Sequence, residues 1–202
     1  GKELSDPFKE DLVRAITDHY FDELISSDSI RNYAEFFFER GYFRESAPLF
    51  LIILDKSENM AELFGKTGFC YQKTGDYAKA LSFYKKAELF DTNRFWILKK
   101  IAFCLRQQNK FEEAIGIYTE ASKLQPEDVF VEISLGNCYL ELRDFKNALI
   151  HYHKARYLDP GNESILRPLS WCCFMEGQLA ESKDHMTMYV GESGNRHDFL
   201  NL

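Results

Sequence analysis

Residues 129–162 read VFVEISLGNCYLELRDFKNALIHYHKARYLDPGN, and the rest of the chain is built on the same pattern. Moving out from Cys138, cysteines stand at Cys70, Cys104 and Cys172, each successive difference being 34. Tyr84, Tyr118 and Tyr152 keep that step, as do Ala80, Ala114 and Ala148, and then Ala87, Ala121 and Ala155. Aromatics recur at Phe43, Tyr77, Phe111 and Phe145, and small residues at Ala34, Gly68, Ala102, Gly136 and Ser170. Pro126 and Pro160 close two of the periods. A fixed period of this length marks a repeat protein. The reading gives five tandem units: 27–60, 61–94, 95–128, 129–162 and 163–196.

Within a unit the spacing is helical. Phe64, Thr67, Gly68 and Tyr71 fall on one face of a 3.6-residue period, and Gly75 ends that run with a residue that tolerates a left-handed backbone. A second run through Tyr77, Ala80, Phe83, Tyr84 and Ala87 repeats the spacing. Turns with N-capping oxygens separate the units at Asp91-Thr92-Asn93, Gln125-Pro126-Glu127-Asp128 and Asp159-Pro160-Gly161-Asn162. One helical hairpin cannot bury its apolar face alone, so the expected fold is all-α, a solenoid of about five stacked helix–turn–helix repeats. Ahead of them, Ser5-Asp6-Pro7 opens a helix over Phe8, Leu12, Ala15, Ile16, Tyr20 and Leu24. Residues 1–26 are thus expected either to cap the array or to be the second half of a lost repeat. Residues 197–202 are read as a tail or as the start of a further helix, and the native protein is expected to be longer.

These residues resemble the tetratricopeptide repeat. The unit 129–162 fits through Leu135-Gly136, Tyr139, Ala148, Tyr152, Ala155 and Pro160; 61–94 through Gly68, Tyr71, Gly75-Asp76-Tyr77, Ala80, Tyr84 and Ala87; and 95–128 through Ile101-Ala102, Phe111, Ala114, Tyr118, Ala121 and Pro126. The first unit fits more loosely, through Ala34, Phe37, Gly41, Ser46 and Phe50. In the last, Ser182 replaces an expected Ala, Tyr189 is large for its place, and Pro168 requires a helix that starts late, near Ser164. The resemblance implies a right-handed α-solenoid and a scaffold that binds other proteins. Chaperone-tail binders of the family hold a terminal carboxylate with Lys and Asn four places apart. The matching pairs here, Arg31/Glu35, Gly65/Phe69, Lys99/Phe103, Ile133/Asn137 and Arg167/Trp171, do not reproduce that pattern, so that specificity is not expected.

Composition narrows the remaining classes. The 202 residues are 45% hydrophobic and 15% aromatic, enough for a packed fold, and the net charge of −7 disfavours nucleic acid. Leu49 to Leu54 is the longest purely apolar run, far short of the roughly 20 residues of a membrane span. The odd count of five cysteines, with no CxxC pair, argues against a disulfide framework and for a reducing compartment, the cytoplasm. Equivalent helices of adjacent repeats lie about 8–10 Å apart. The cysteine ladder is therefore expected to be buried packing rather than disulfide or zinc chemistry. His151 and His153 face apart on one helix, Glu112-Glu113 belong to a solvated face, and Gly191-Glu192-Ser193-Gly194 lacks the Lys of a phosphate loop. The expectation is a chain that is not an enzyme and carries no cofactor or metal.

The first helix of each hairpin lines the concave side of such an array. Opposite the core stripe Leu98, Ile101, Ala102 and Leu105 lie Trp96, Lys99, Phe103, Arg106 and Gln107. The equivalent stripes hold Phe69 and Lys73, then Phe130 and Asn137, then Trp171. Aromatics and Arg on a concave face are the usual makings of binding hot spots. Phe69, Lys73, Trp96, Lys99, Phe103, Arg106, Phe130, Asn137 and Trp171 are therefore expected to form a peptide-binding groove, unless other parts of the chain cover them. The basic centre at Lys99, Lys100 and Arg106 suits a partner segment with an apolar anchor and acidic flanks. The alternative is a self-assembling, chaperone-like module, a homo-oligomer acting through its end repeats.

Overall fold

The computed structural model describes residues 27–54, 59–90 and 93–193. The expected leading helix at 1–26 and the tail at 197–202 lie outside the described residues. Those described hold ten α-helices and no strand: α1 (Ser27–Glu39), α2 (Phe43–Leu54), α3 (Met60–Lys73), α4 (Tyr77–Glu88), α5 (Arg94–Gln107), α6 (Phe111–Leu124), α7 (Val129–Glu141), α8 (Phe145–Leu158), α9 (Leu166–Met175) and α10 (Leu179–Ser193). A 3-10 turn, Glu163–Ile165, leads into α9. The chain divides after Gln108 into two compact units, between α5 and α6.

Several of the helices start and stop for a chemical reason. The carboxylates of Asp76, Asp128 and Asp144 and the amide oxygen of Asn93 accept from the backbone N–H groups of Lys79, Val131, Asn147 and Trp96 at the starts of α4, α7, α8 and α5. Asn162 does the same for the 3-10 turn through Ser164. That turn delays α9 to Leu166, so Pro168 falls in the first helical turn, where its missing N–H sacrifices no intrahelical bond.

The stops are themselves periodic. Left-handed backbone recurs at Gly41, Asn109 and Arg143 (φ 80°, 59° and 60°), and at Gly75 and Gly177 (φ 86° and 78°). The next N–H then reaches back five residues: Tyr42 to Phe37, Asp76 to Tyr71, Asp144 to Tyr139 and Gln178 to Cys173, at 2.8–2.9 Å. This is the Schellman closure, which satisfies carbonyls left open at a helix end. Arg143 carries a Cβ where glycine carries none, at a cost of roughly 1–2 kcal/mol. Arg143→Gly should therefore stabilise the protein by about 0.5–1 kcal/mol after the entropy of the unfolded glycine is subtracted, measured as a higher midpoint in urea.

In the first unit the core gathers Ile30, Ala34, Phe37, Leu49, Phe50, Ile53, Leu63 and Cys70. In the second it gathers Ala148, Leu149, Tyr152, Ala155, Ile165, Leu169, Cys172 and Cys173. The paired helices of a hairpin approach closely because the facing residues are small. A Cβ on Gly136 would stand 2.7 Å from the Tyr152 ring, and one on Gly68 would stand 3.0 Å from the Tyr84 ring. Both tyrosines are fully buried, and each hydroxyl donates to an amide oxygen on the facing helix: Tyr84 to Gln72 and Tyr152 to Asn137, both at 2.7 Å. In the first and last hairpins serine takes the alanine place and adds a hydrogen bond. The Ser46 hydroxyl donates to the Ala34 carbonyl, while Ser170 and Ser182 donate to each other's carbonyls at 2.8 and 2.9 Å. Ser182, out of pattern in the sequence, is thereby accommodated.

Candidate protein-binding face

In the first unit the sequence-predicted residues come together on α3 and α5. Phe69 packs against Phe38 and Phe43, with ring centroids 5.7 and 5.5 Å apart. The Lys73 ammonium lies over the Phe69 ring at 5.2 Å and that of Lys100, from α5, at 5.1 Å. Lys100 also lies 5.4 Å over Trp96, whose indole meets Tyr84 edge-on and rests against Gly65. Lys99 sits 4.7 Å over Phe95. Phe103 contacts Tyr77 edge-on, and the Arg106 guanidinium covers its other neighbourhood at 5.6 Å. Apart from the fully buried Tyr84 and the exposed Lys73, these side chains are half-buried. They form a surface of rings and cations rather than a row of free aromatics.

Beside Trp96 opens a cavity of about 390 Å³ lined by Ala61, Gly65, Ala87 and Ile97, with Glu62, Lys66 and two asparagines at its polar margin. Lys66 is compensated: its ammonium meets Glu35 at 2.6 Å and Glu62 at 2.7 Å. Burial works against its charge, but the two carboxylates outweigh burial and hold its pKa above the ordinary lysine value. The Glu62-to-Lys66 step of four was a visible helical pair; Glu35, from another hairpin, had no sequence signal. Lys100 shows the opposite balance, its pKa lowered by burial and then by Lys73 and Lys99.

In the second unit Phe130 is 44% exposed on α7 and touches Tyr118 edge-on. Trp171 is also 44% exposed and stacks on Phe174, itself 42% exposed, along α9. Asn137, on α7, accepts from the Tyr152 hydroxyl through its carbonyl oxygen. The tyrosine hydroxyl, buried with the ring, needs an acceptor, and the facing helix supplies it.

Two features of the second unit were not legible in the sequence. Glu132, 1% exposed, accepts from His151 at 2.8 Å, Lys154 at 2.7 Å and Ser122 at 3.3 Å, while Tyr139 stacks on His151. Burial alone would raise the Glu132 pKa; the His151 and Lys154 hydrogen bonds and charges instead hold it below the ordinary value. His153 and His185, distant in sequence, bring their rings to 6.3 Å. All five cysteines are free and buried, and burial pushes the thiols of Cys70, Cys104 and Cys172 up to about 12. Thiols so protonated are inert packing groups.

The class this architecture defines is a helical-repeat protein whose 34-residue step is written in both its caps and its core. Models of the tetratricopeptide repeat match residues 61–93 and 98–130, so that this stretch of the chain is similar to two such repeats. Among solved structures it resembles MamA 41-end from Desulfovibrio magneticus RS-1, with a TM-score of 0.77 at 18% identity over 84% of this chain and 97% of that one. A MamA RS-1 ArsTM double mutant gives 0.76 at 19% identity, over 84% of this chain and 96% of that one. A MamA AMB-1 crystal form gives 0.72 at 16%, over 82% and 99%. Identities this low speak for the fold alone. No curated protein matches the chain. Among the described residues no helix is long and apolar enough to cross a membrane.

Proposed function

We propose that this protein is a non-catalytic interaction scaffold that binds a peptide segment or helix of another protein on the outward faces of the first helices of its hairpins. The observation that carries the reading is the α3–α5 surface, where Phe69, Phe95, Trp96 and Phe103 are held half-open under Lys73, Lys99, Lys100 and Arg106. Such rings are oriented by their helices before a ligand arrives, so most of the ordering cost on binding falls on the ligand. The rings suit an apolar anchor and the cations suit acidic flanks. Five buried free thiols are consistent with a reducing, cytoplasmic setting. In a pull-down from lysate, a Phe103→Ala, Arg106→Ala double variant should lose its partners while keeping its helical circular dichroism. Retained partners would refute this face.

A second reading, self-association through an end repeat, has its own support. Trp171, Phe174 and Met175 on α9, with Leu179 on α10, leave a run of large apolar side chains 42–63% exposed. Light scattering over a concentration series separates the two: a mass that rises with concentration, and stops rising in Trp171→Ser, favours assembly.

A further inference from the structure

We propose that the contact of His185 on α10 with His153 and Arg156 on α8 is a pH-sensitive latch, which holds α10 in place at neutral pH and releases it in mild acid. The inference goes beyond the scaffold reading and does not depend on it.

Two rungs of side chains join α8 and α10, the second helices of successive hairpins. In one rung the rings of His153 and His185 lie 6.3 Å apart. In the other, one turn further along both helices, the Arg156 guanidinium donates to the Met188 thioether at 3.5 Å. Sulfur is a weak acceptor and neutralises nothing, so Arg156 brings its full positive charge to the pair of rings.

The repeat supplies its own control. His151 stands 34 residues before His185, in the same place of its hairpin, and there Glu132 meets its ring at 2.8 Å. One repeat later the place of Glu132 is taken by Leu166, which is fully buried. His185 thus keeps the histidine of that place without the carboxylate that pairs with it. The charges acting on it are His153 and Arg156 from α8, against Glu181 and Asp184 from its own helix. α9 packs on α10 through the Ser170–Ser182 hydrogen bonds. The titratable group that α9 sets near α10 is Cys173, kept protonated by burial and then by Glu181.

Burial is the largest effect on His185 and holds its pKa below the ordinary histidine value of 6.5. His153 and Arg156 push the same way, and the two carboxylates only partly oppose them. The Nδ1 atom is buried with no hydrogen-bond partner among the described residues. A neutral ring can leave that nitrogen bare, whereas an imidazolium must carry a hydrogen on it with nothing to accept it. Release of α10 returns the ring to water and takes it away from both cationic neighbours. The released state therefore binds a proton more readily than the docked one. Docking is at full strength above 6.5 and weakens as pH falls through that value toward the lower, docked one. The fixed charge of Arg156 suits this role and opposes a metal cation between the rings. What acid uncovers is the face of α9 at Ser170, next to the exposed Trp171.

Hydrogen exchange of the full chain, read as protection factors at about pH 7.5 and about pH 5, tests the latch. Protection of the α10 amides should fall severalfold in acid, while that of α7, whose Glu132 titrates below 4.5, holds. His185→Gln, which cannot take the charge, should remove that fall. Unchanged α10 protection in the native chain, or an equal fall in His185→Gln, would overturn the latch. If His185→Gln loosens α10 at both pH values, the NMR titration of His185 in the native chain decides. A midpoint below 6.5 that rises in Arg156→Gln sustains the proposal. A midpoint at or above 6.5, or one that Arg156→Gln leaves unmoved, overturns it. None of these outcomes bears on capture of partners by the α3–α5 face.

Discussion

Ala148→Phe should lower the melting temperature by roughly 6–12 °C, the equivalent of about 3 kcal/mol in a chain of this size. Ala148 is fully buried in the second unit, inside the hairpin of α7 and α8. The approach of those helices is set by Gly136, where even a Cβ would meet three atoms of the Tyr152 ring at 2.7–3.0 Å. Tyr152 cannot yield, because its ring is buried and its hydroxyl is held by Asn137. A phenyl group at 148 must therefore part the helices, which also breaks the contact that buries the tyrosine. Thermal unfolding followed by circular dichroism measures the effect. An unchanged melting temperature would mean that α7 and α8 do not meet along this register.

The second large effect is expected at Glu132. Removing both of these hydrogen-bonding partners with His151→Ala and Lys154→Ala should cost about 3 kcal/mol, because it strands a carboxylate with 1% exposure. Glu132→Leu should cost distinctly less. It leaves His151 and Lys154, whose side chains are 23% and 42% exposed, free to turn to water, and it fills the site with an apolar group. The same pair fixes a pH dependence. The folded carboxyl titrates below its ordinary value of 4.5, so its contribution is fully present above that value and is lost as pH falls through the lower, folded one. Urea midpoints measured between pH 6 and pH 3 should therefore converge for the native chain and the Glu132→Leu variant toward the acid end. Parallel curves over that range would show that the ion pair contributes nothing.

How far such features could be read from the chain alone depended on whether they were local. The turn oxygens of Asn93, Asp128 and Asn162 were legible because a cap is formed by residues two or three apart. Gly75 was legible as a helix stop, since only the backbone of that residue is involved, whereas Arg143 in the same left-handed place was hidden by its side chain. The aromatic stripe on α3 and α5 followed from helical spacing, but spacing does not say that Phe69 leans on Phe38 and Phe43. Asn137 shows the limit most clearly. Helical spacing places it on the outward stripe, but spacing does not say that its amide oxygen accepts from a tyrosine fifteen residues later.

By itself the sequence determined the hairpins, their 34-residue stride and the small residues that let paired helices touch, because apolar periodicity and steric size act over a few neighbouring positions. Only the tertiary structure decided which charges are compensated. Lys66 finds Glu35 thirty-one residues away while Lys73 and Lys100 find aromatic faces instead, and Glu132 is hydrogen-bonded by a histidine and a lysine from the next helix. Ion pairing and ring contacts depend on separations of a few ångströms between residues far apart in the chain, and those distances exist only once the helices have packed.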